Sequence, residues 1–264
     1  MGYDRGAEMR RLFTQLAPNM DNTIRITDKQ DIGYISVVLR MKIGDDMFLS
    51  DGVGKAYEAR IAAIEKNEIV FRILTEIPFE EKQKTRITLY QGLPKGAKMD
   101  EVVRKSTELG VFRIVPVATA RTVPEVKGGM PAAKLARWRR IAGEASRQSR
   151  RARIPEVGDA VSFAAAAESL GGEGYDLIFV LYELEEGLTL KRALREGRDR
   201  LLKTGPEWFP NIAVFIGPEG GFEREEVDRL LLAGAQSVTV GETIMRTETA
   251  GPAAIAMVLY EVEL

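Results

Sequence analysis

The stretch FIGPEGGF at residues 215–222 runs an apolar segment directly into Gly217, Gly220 and Gly221, with the acid Glu219 among them. Followed by a segment of helical character at 224–233, it reads as strand, loop, helix. Glycines there let a ligand approach the backbone and meet its amides, and the carboxyl ends of strands in open α/β sheets are where ligands bind. The loop is neither G-x-G-x-x-G nor a Walker A loop, since no Gly-Lys-Ser/Thr follows. Glu219 repels phosphate and suits a cationic or amine-bearing ligand. The alternative is a tight strand-to-helix turn that uses glycine for geometry alone.

A second strand, loop and helix follow in VGETIMRTETAGPAA at 240–254. Thr249 is expected to N-cap the helix, with Pro252 in its first turn, where a missing N–H breaks no helical bond. Arg246, Thr247 and Glu248 crowd the loop before it, either as a site rim or as a solvated loop. A third apolar strand ends in Leu181, Tyr182 and Glu183. The two loops are read as following neighbouring strands, and all three mouths as converging on one pocket.

Working outward, the chain from residue 81 alternates strands with helices. Strands are expected at 86–91, 113–117, 176–182, 212–216 and 237–240, and helices at 98–109, 132–148, 162–170, 224–233 and 249–262. That rhythm implies a mainly parallel sheet with crossover helices. Ile154-Pro155 ends the long basic helix, because the residue before proline avoids the α region. The first third is different: short β segments at 23–26, 47–50, 56–64 and 68–74 alternate with polar turns. One helix interrupts them, N-capped by Asp28 and marked by Ile32, Ile35 and Leu39. A small barrel over about residues 9–80 is expected, with 77–85 as linker, giving domains at 1–80 and 81–264.

The chain has 264 residues, 38 Lys+Arg, 39 Asp+Glu, and neither histidine nor cysteine. An imidazole base, a Ser-His-Asp triad, a thiol nucleophile and a zinc-thiolate site are therefore excluded. Chemistry must run on carboxylates, Lys, Arg, Tyr, hydroxyls, backbone amides or a cofactor. The formal charge of −1 averages unlike regions. Residues 137–153 hold seven arginines against one acid, whereas 219–264 hold nine acids against three bases. No apolar run approaches the roughly 18 residues needed to span a bilayer, and the polar start 1–10 lacks a secretory signal, so a cytoplasmic location is expected.

Taken together, FIGPEGGF, MRTETA with Gly241 upstream, KMDEVVRKSTELGV at 98–111 and QSRRARIPEV at 148–157 resemble the 16S ribosomal RNA uridine N3-methyltransferase family of the SPOUT class. MRRLF at 9–13 and VVLRMKIGDD at 37–46 fit the same family, so the resemblance runs in order along nearly the whole chain. It implies an α/β protein with a small N-terminal PUA-like β-barrel domain for RNA and a C-terminal trefoil-knotted methyltransferase domain. It also implies S-adenosylmethionine as cofactor, no metal, a homodimer, and 16S rRNA of the 30S subunit as partner.

The resemblance places the cofactor against Leu181, Tyr182, Gly217, Gly220, Gly221, Val240, Gly241, Ile244 and Met245, with Arg246, Thr247 and Glu248 facing the uridine. Physical reading makes Ile216, Ile244 and Met245 apolar walls and adds Glu219 within the loop. S-adenosylmethionine carries no phosphate, so a glycine loop without lysine is what it requires. Arg246 is expected to stabilise the uridine anion, with Glu248 or Glu219 as proton acceptor or as a group orienting Arg246. RNA contacts are expected from Arg10, Arg11, Arg40, Lys98, Lys105, Arg147, Arg150, Arg151 and Arg153, because phosphate contacts dominate nucleic-acid affinity. Trp138 and Trp208 read as packing residues. Glu242 and Thr243 stand where the family usually has Pro and Arg, and Arg147 where Glu is common. Two other functions fit less of the pattern: a related knotted enzyme acting on a ribose 2′-hydroxyl or tRNA, and a non-catalytic RNA-binding assembly factor.

Overall fold

A computed structural model describes residues 11–13, 18–51, 55–77, 83–122, 130–149, 151, 153–201 and 210–263. The chain divides into two compact units, Met1–Glu81 with Arg147–Ile154, and Lys82–Ser146 with Pro155–Leu264. Arg10, Arg150 and Trp208, and residues 78–82 of the expected linker, lie outside the described residues.

In the first unit β1 (Arg11–Phe13), β2 (Thr23–Ile26), β3 (Asp46–Ser50), β4 (Ala56–Ile64) and β5 (Ile69–Ile77) form one sheet in the order β1-β3-β4-β5-β2. Along β4 the buried residues Tyr57, Ala59 and Ile61 alternate with more exposed ones, the period of two that turns one face to a core. That core also holds Ile24, Ile35, Met47, Leu49 and Phe71. The edge strands β1 and β2 do not pair with each other among the described residues, so the sheet is curled rather than closed by a full ring of ladders.

Asp28 caps α1 (Lys29–Gly33) as expected, its carboxylate accepting from the amides of Gln30 at 2.9 Å and Asp31 at 3.0 Å. The helix then widens into a π turn over Tyr34–Val38, closed by the Leu39 amide on the Tyr34 carbonyl. Ile35 is fully buried there, so the apolar spacing read from the sequence finds the core through a wider turn than an α-helix.

The second unit holds a seven-stranded sheet. Its strands are β6 (Arg86–Gly92), β7 (Arg113–Ala118), β8 (Glu156–Val157), β9 (Val161–Ser162), β10 (Leu177–Leu181), β11 (Asn211–Ile216) and β12 (Gln236–Val238). The order is β12-β10-β11-β6-β7-β8, with β9 also on β7, and every pairing is parallel. Strands covered on both faces need apolar residues throughout, and β11 buries every residue after Asn211. Tyr90 of β6 stacks on Phe215 of β11 with ring centroids 4.3 Å apart.

The crossovers are α2 (Lys98–Leu109), α3 (Ala132–Gln148), α4 (Phe163–Ser169), α5 (Leu190–Leu201) and α6 (Arg224–Leu232), and α7 (Thr247–Glu263) packs against α2. Trp138 of α3 is buried, as its reading as a packing residue anticipates. Three features correct the sequence reading. First, β11 and β12 are not neighbours, because β10 lies between them. Second, α5 forms where no helix is expected; its buried Leu190, Ala193, Leu194 and Gly197 follow helical spacing under a charged face. Third, α7 starts at Thr247, so Thr249 is inside the helix rather than its N-cap, and the amides of Thr249 and Ala250 bond to the Arg246 carbonyl at 2.8 and 2.9 Å. Pro252 therefore falls in the second turn.

Candidate active site

Parallel pairing sets the ends of three strands level. Leu181 of β10 is in register with Ile216 of β11 on one side and Val238 of β12 on the other, and Gln91 of β6 is in register with Ile216. The loops leaving β10, β11 and β12 consequently open along one line. They enclose a cavity of about 980 Å³, at the upper end of ordinary ligand pockets. It brings together Leu181, Tyr182, Ile216, Gly217, Glu219, Gly220, Gly221, Val240, Gly241, Ile244 and Met245, with Arg246 and Thr247 beside them. Ile244 is 81% exposed and belongs to the rim rather than a wall. Glu248 does not line the cavity; its Oε2 is buried without a hydrogen-bond partner among the described residues.

The glycines are required by close packing of the loop. A Cβ on Gly217 would lie 2.9 Å from the Gly221 carbonyl carbon, and Gly221 has φ +70° with Glu183 Oε1 where its Cβ would point. On the neighbouring strand, a Cβ on Gly92 would come within 2.6 Å of the Pro218 ring and nitrogen. Geometry thus accounts for glycine at the same positions that line the cavity. The loop is also held from outside by Arg121, just after β7. Its Nη1 donates to the Gly220 carbonyl at 2.6 Å, and Nε and Nη2 donate to the two oxygens of Glu223 at 2.8 and 3.1 Å. The hydrogen bonds from Arg121 hold the Glu223 carboxyl below its ordinary range. Glu226 closes a capping box with Glu223 and accepts from the Ala120 amide at 2.9 Å. No sequence pattern marks Arg121, because its partners lie about a hundred residues away.

At the inner end, Gln91 Nε2 donates to Thr247 Oγ1 at 2.8 Å, and Thr247 Oγ1 donates to the Gly217 carbonyl at 2.6 Å. Thr247 is 5% exposed and its hydroxyl is engaged on both sides, so it ties the start of α7 to the loop. Glu219 accepts from the Lys95 amide at 3.0 Å and from Lys98 Nζ at 2.8 Å. Burial raises its pKa, but the hydrogen bonds from Lys98 and from the backbone amides of Glu219 and Lys95 outweigh that, and the carboxyl is held below its ordinary value. Lys98, expected at RNA, instead lines the cavity, with its Nζ 3.9 Å from Glu248 Oε2.

Arg246 is exposed at the cavity rim and has no ion-pair partner among the described residues. Glu183, Glu185, Glu186, Glu219 and Glu242 also line the cavity, against the cations Lys98 and Arg246. Glu185 is held ionised below its ordinary range, first by the Gly187 amide. The lining is net negative and hostile to phosphate.

The basic run is less free than its sequence suggests. Arg137 bonds Asp100 at 2.6 Å, Arg139 lies 3.5 Å from Asp159, Arg140 bonds Glu144 at 2.8 Å, and Arg147 lies 3.6 Å from Asp31 within the first unit. Arg151 and Arg153 are half-buried, and neither is without a partner. Lys105 sits on α2 at 3.6 Å from Glu101. Arg40 is exposed in a turn with φ +52°, and Arg11 belongs to β1.

Comparison with known proteins agrees with this architecture. The RNA methyltransferase domain family matches residues 80–259, and the RNA methyltransferase PUA domain family matches residues 26–74. A ribosomal RNA small subunit methyltransferase E of Bacillus subtilis is 28% identical over 259 residues, 97% of this chain and 98% of its own. The crystal structure of a ribosomal RNA small subunit methyltransferase E from Neisseria gonorrhoeae bound to S-adenosyl methionine superposes with a TM-score of 0.76 at 30% identity, covering 96% of this chain and 97% of that one. A Legionella pneumophila methyltransferase in complex with bound SAM gives 0.75 at 25% identity, covering 96% and 97%. Among the described residues, no helix is long and apolar enough to cross a membrane.

Proposed function

Since the chain belongs to the RNA methyltransferase family of small-subunit ribosomal RNA enzymes, in the knotted SPOUT class with a PUA domain, we propose that it transfers a methyl group from S-adenosylmethionine to N3 of one uridine in 16S rRNA. The observation that carries this reading is the cavity at three level strand ends, walled by glycine backbone and apolar side chains and lined by a net excess of acids.

The residues present fit the cofactor. S-adenosylmethionine has a net positive charge and no phosphate, matching a phosphate-repelling lining. Ile216, Leu181 and Met245 offer apolar walls, and the backbone of 217–221, kept close by glycine, offers amides and carbonyls. When bound, the cofactor supplies a methyl group already activated on a sulfonium. The protein then has to orient the acceptor and exclude water, and good positioning supplies about 7–11 kcal/mol.

With no imidazole in the chain, uridine N3 must lose its proton to a carboxylate or to solvent. Arg246, exposed at the rim without an ion pair among the described residues, stabilises the uridine anion and lowers its effective pKa. Neither acid named from the sequence is placed as a free acceptor: Glu248 does not line the cavity. Glu219 lines the cavity but already accepts from Lys95 and Lys98 and is held acidic, so these carboxylates serve to hold the cations at the site and the N3 proton leaves to solvent. RNA phosphates meet the arginine run, whose Arg137, Arg139 and Arg140 side chains remain 58%, 56% and 54% exposed. The ion pairs of Arg139 and Arg140 are exposed on both sides, are each worth only about 0–1 kcal/mol and yield readily to phosphate, whereas Arg137 is tied to the buried Asp100. The enzyme acts in the cytoplasm as a homodimer on the 30S subunit. Exposed Met257 and Tyr260 on α7, beside an apolar groove with Leu190 and Leu194, support self-association.

The test is incubation with methyl-labelled cofactor and either 30S subunits or naked 16S RNA, followed by reverse transcription. N3-methylation blocks the Watson–Crick edge, so a stop at one uridine is expected. Label on ribose would move the chemistry to a 2′-hydroxyl. No label, with no calorimetric binding of S-adenosylmethionine, would leave only a non-catalytic role.

A further inference from the structure

We propose that Gln91 is a positioning residue for the cofactor loop, acting through Thr247 on the Gly217 carbonyl. The inference rests on reading the cavity as the cofactor site. Gln91 is fully buried at the carboxyl end of β6, next to β11, and does not line the cavity. A buried amide inside a parallel sheet has to find its partners within the fold, and Gln91 finds them for Nε2, while Oε1 has none among the described residues. Its Nε2 donates to the Gly92 carbonyl at 3.0 Å and to Thr247 Oγ1 at 2.8 Å. The Thr247 hydroxyl has one proton, and the Gly217 carbonyl takes it at 2.6 Å. Donation therefore runs one way, from Gln91 to Thr247 to Gly217, and couples three segments distant in sequence.

The packing agrees with this role. Gly251 lies one turn beyond Thr247 in α7, and a Cβ there would sit 3.1 Å from Gln91 Oε1. Glycine lets the helix lie directly on the amide. The relay thus fixes where α7 begins relative to where the glycine loop begins, and the residues at those two points, Thr247 and Gly217, both line the cavity.

Thr247→Val keeps the side-chain shape but leaves the Gly217 carbonyl and one Gln91 N–H unpaired. The affinity for S-adenosylmethionine, measured by calorimetry on the full chain, is expected to fall about tenfold, the effect of one lost hydrogen bond with its partners left buried. Gln91→Met should give a similar loss. The double variant should be no worse than either single one, because both break the same relay. Thr247→Ser, which keeps the hydroxyl, should recover affinity to within about twofold, an outcome that a merely space-filling role does not give. If Gln91→Met fails to fold, the contrast between Thr247→Val and Thr247→Ser decides alone. Wild-type affinity in Thr247→Val, or multiplied losses in the double variant, overturns the proposal while leaving the function intact. A wild-type protein that binds no S-adenosylmethionine overturns both.

Discussion

Gly217 and Gly220 sit in one loop but face different neighbours, and alanine at each separates their roles. At Gly217 the new Cβ would meet backbone, 2.9 Å from the Gly221 carbonyl carbon and 3.0 Å from its Cα, where ordinary contact begins at 3.4 Å. Backbone on both sides cannot rotate away, so the loop must open by roughly 0.5 Å. Overpacking of this kind costs about 1–3 kcal/mol. The displaced atoms line the cavity, so the strain appears in cofactor affinity, as a loss of about 5- to 150-fold. At Gly220 the Cβ would meet only the Arg121 side chain, at 3.2 Å and beyond, and φ is not in the left-handed region. The shortfall from ordinary contact is only about 0.2 Å and is met by side-chain atoms alone, so Gly220→Ala should bind S-adenosylmethionine within about threefold of wild type. Calorimetric titration of both variants, with thermal melts to establish folding, measures the contrast. Equal affinities for the two variants, or wild-type affinity in Gly217→Ala, would refute the claim that self-packing of the loop shapes the site.

Arg246→Ala is expected to abolish methyl transfer while S-adenosylmethionine affinity stays within several-fold; loss of cofactor binding would make Arg246 a pocket wall. Glu219, with its pKa depressed in the fold, contributes stability that is present above the unfolded value of 4.5 and lost as pH falls through the folded one. The stability difference between wild type and Glu219→Gln should therefore shrink below about pH 4.5 in denaturant titrations, and a difference that grows there would show the opposite sign. Replacing Arg139 and Arg140 with Gln should weaken RNA binding and reduce the slope of log affinity against log salt by roughly 0.7–0.9 per lost phosphate contact. An unchanged slope would move the RNA off α3.

Elements whose cause is local were legible in the sequence. The bounds of β2, β4, α2 and α3 coincide with the expected ones, because alternation, helical spacing and the Asp28 cap are written into neighbouring residues. Elements defined by what lies across from them were not. β8 and β9 are two residues each and exist only through pairing with β7. Within α5, charge hid a narrow apolar stripe whose partners are set by β12 and α7. The position of β10 between β11 and β12 follows from sheet order, on which sequence periodicity is silent.

The same division runs through the site. Glycine clusters and the hydroxylated loop at 240–248 point to a pocket because a chain segment must expose its backbone there. What those residues do depends on partners more than a hundred positions away. Thr247 reads as a substrate-facing hydroxyl in the sequence, and in the fold Gln91 and Gly217 engage it on both sides; the same bonds draw the start of α7 two residues ahead of the expected cap. Lys98 reads as a phosphate contact in the sequence, and in the fold it bonds Glu219, whose carboxyl is held below its ordinary value. One signal was available: a glutamine near the end of the mainly apolar strand ITLYQG has to seek partners for its N–H groups elsewhere in the fold, since a central parallel strand offers no solvent. A polar residue at the carboxyl end of a buried strand is thus a pointer to the residue that fastens the site, even where its partner cannot be named from sequence.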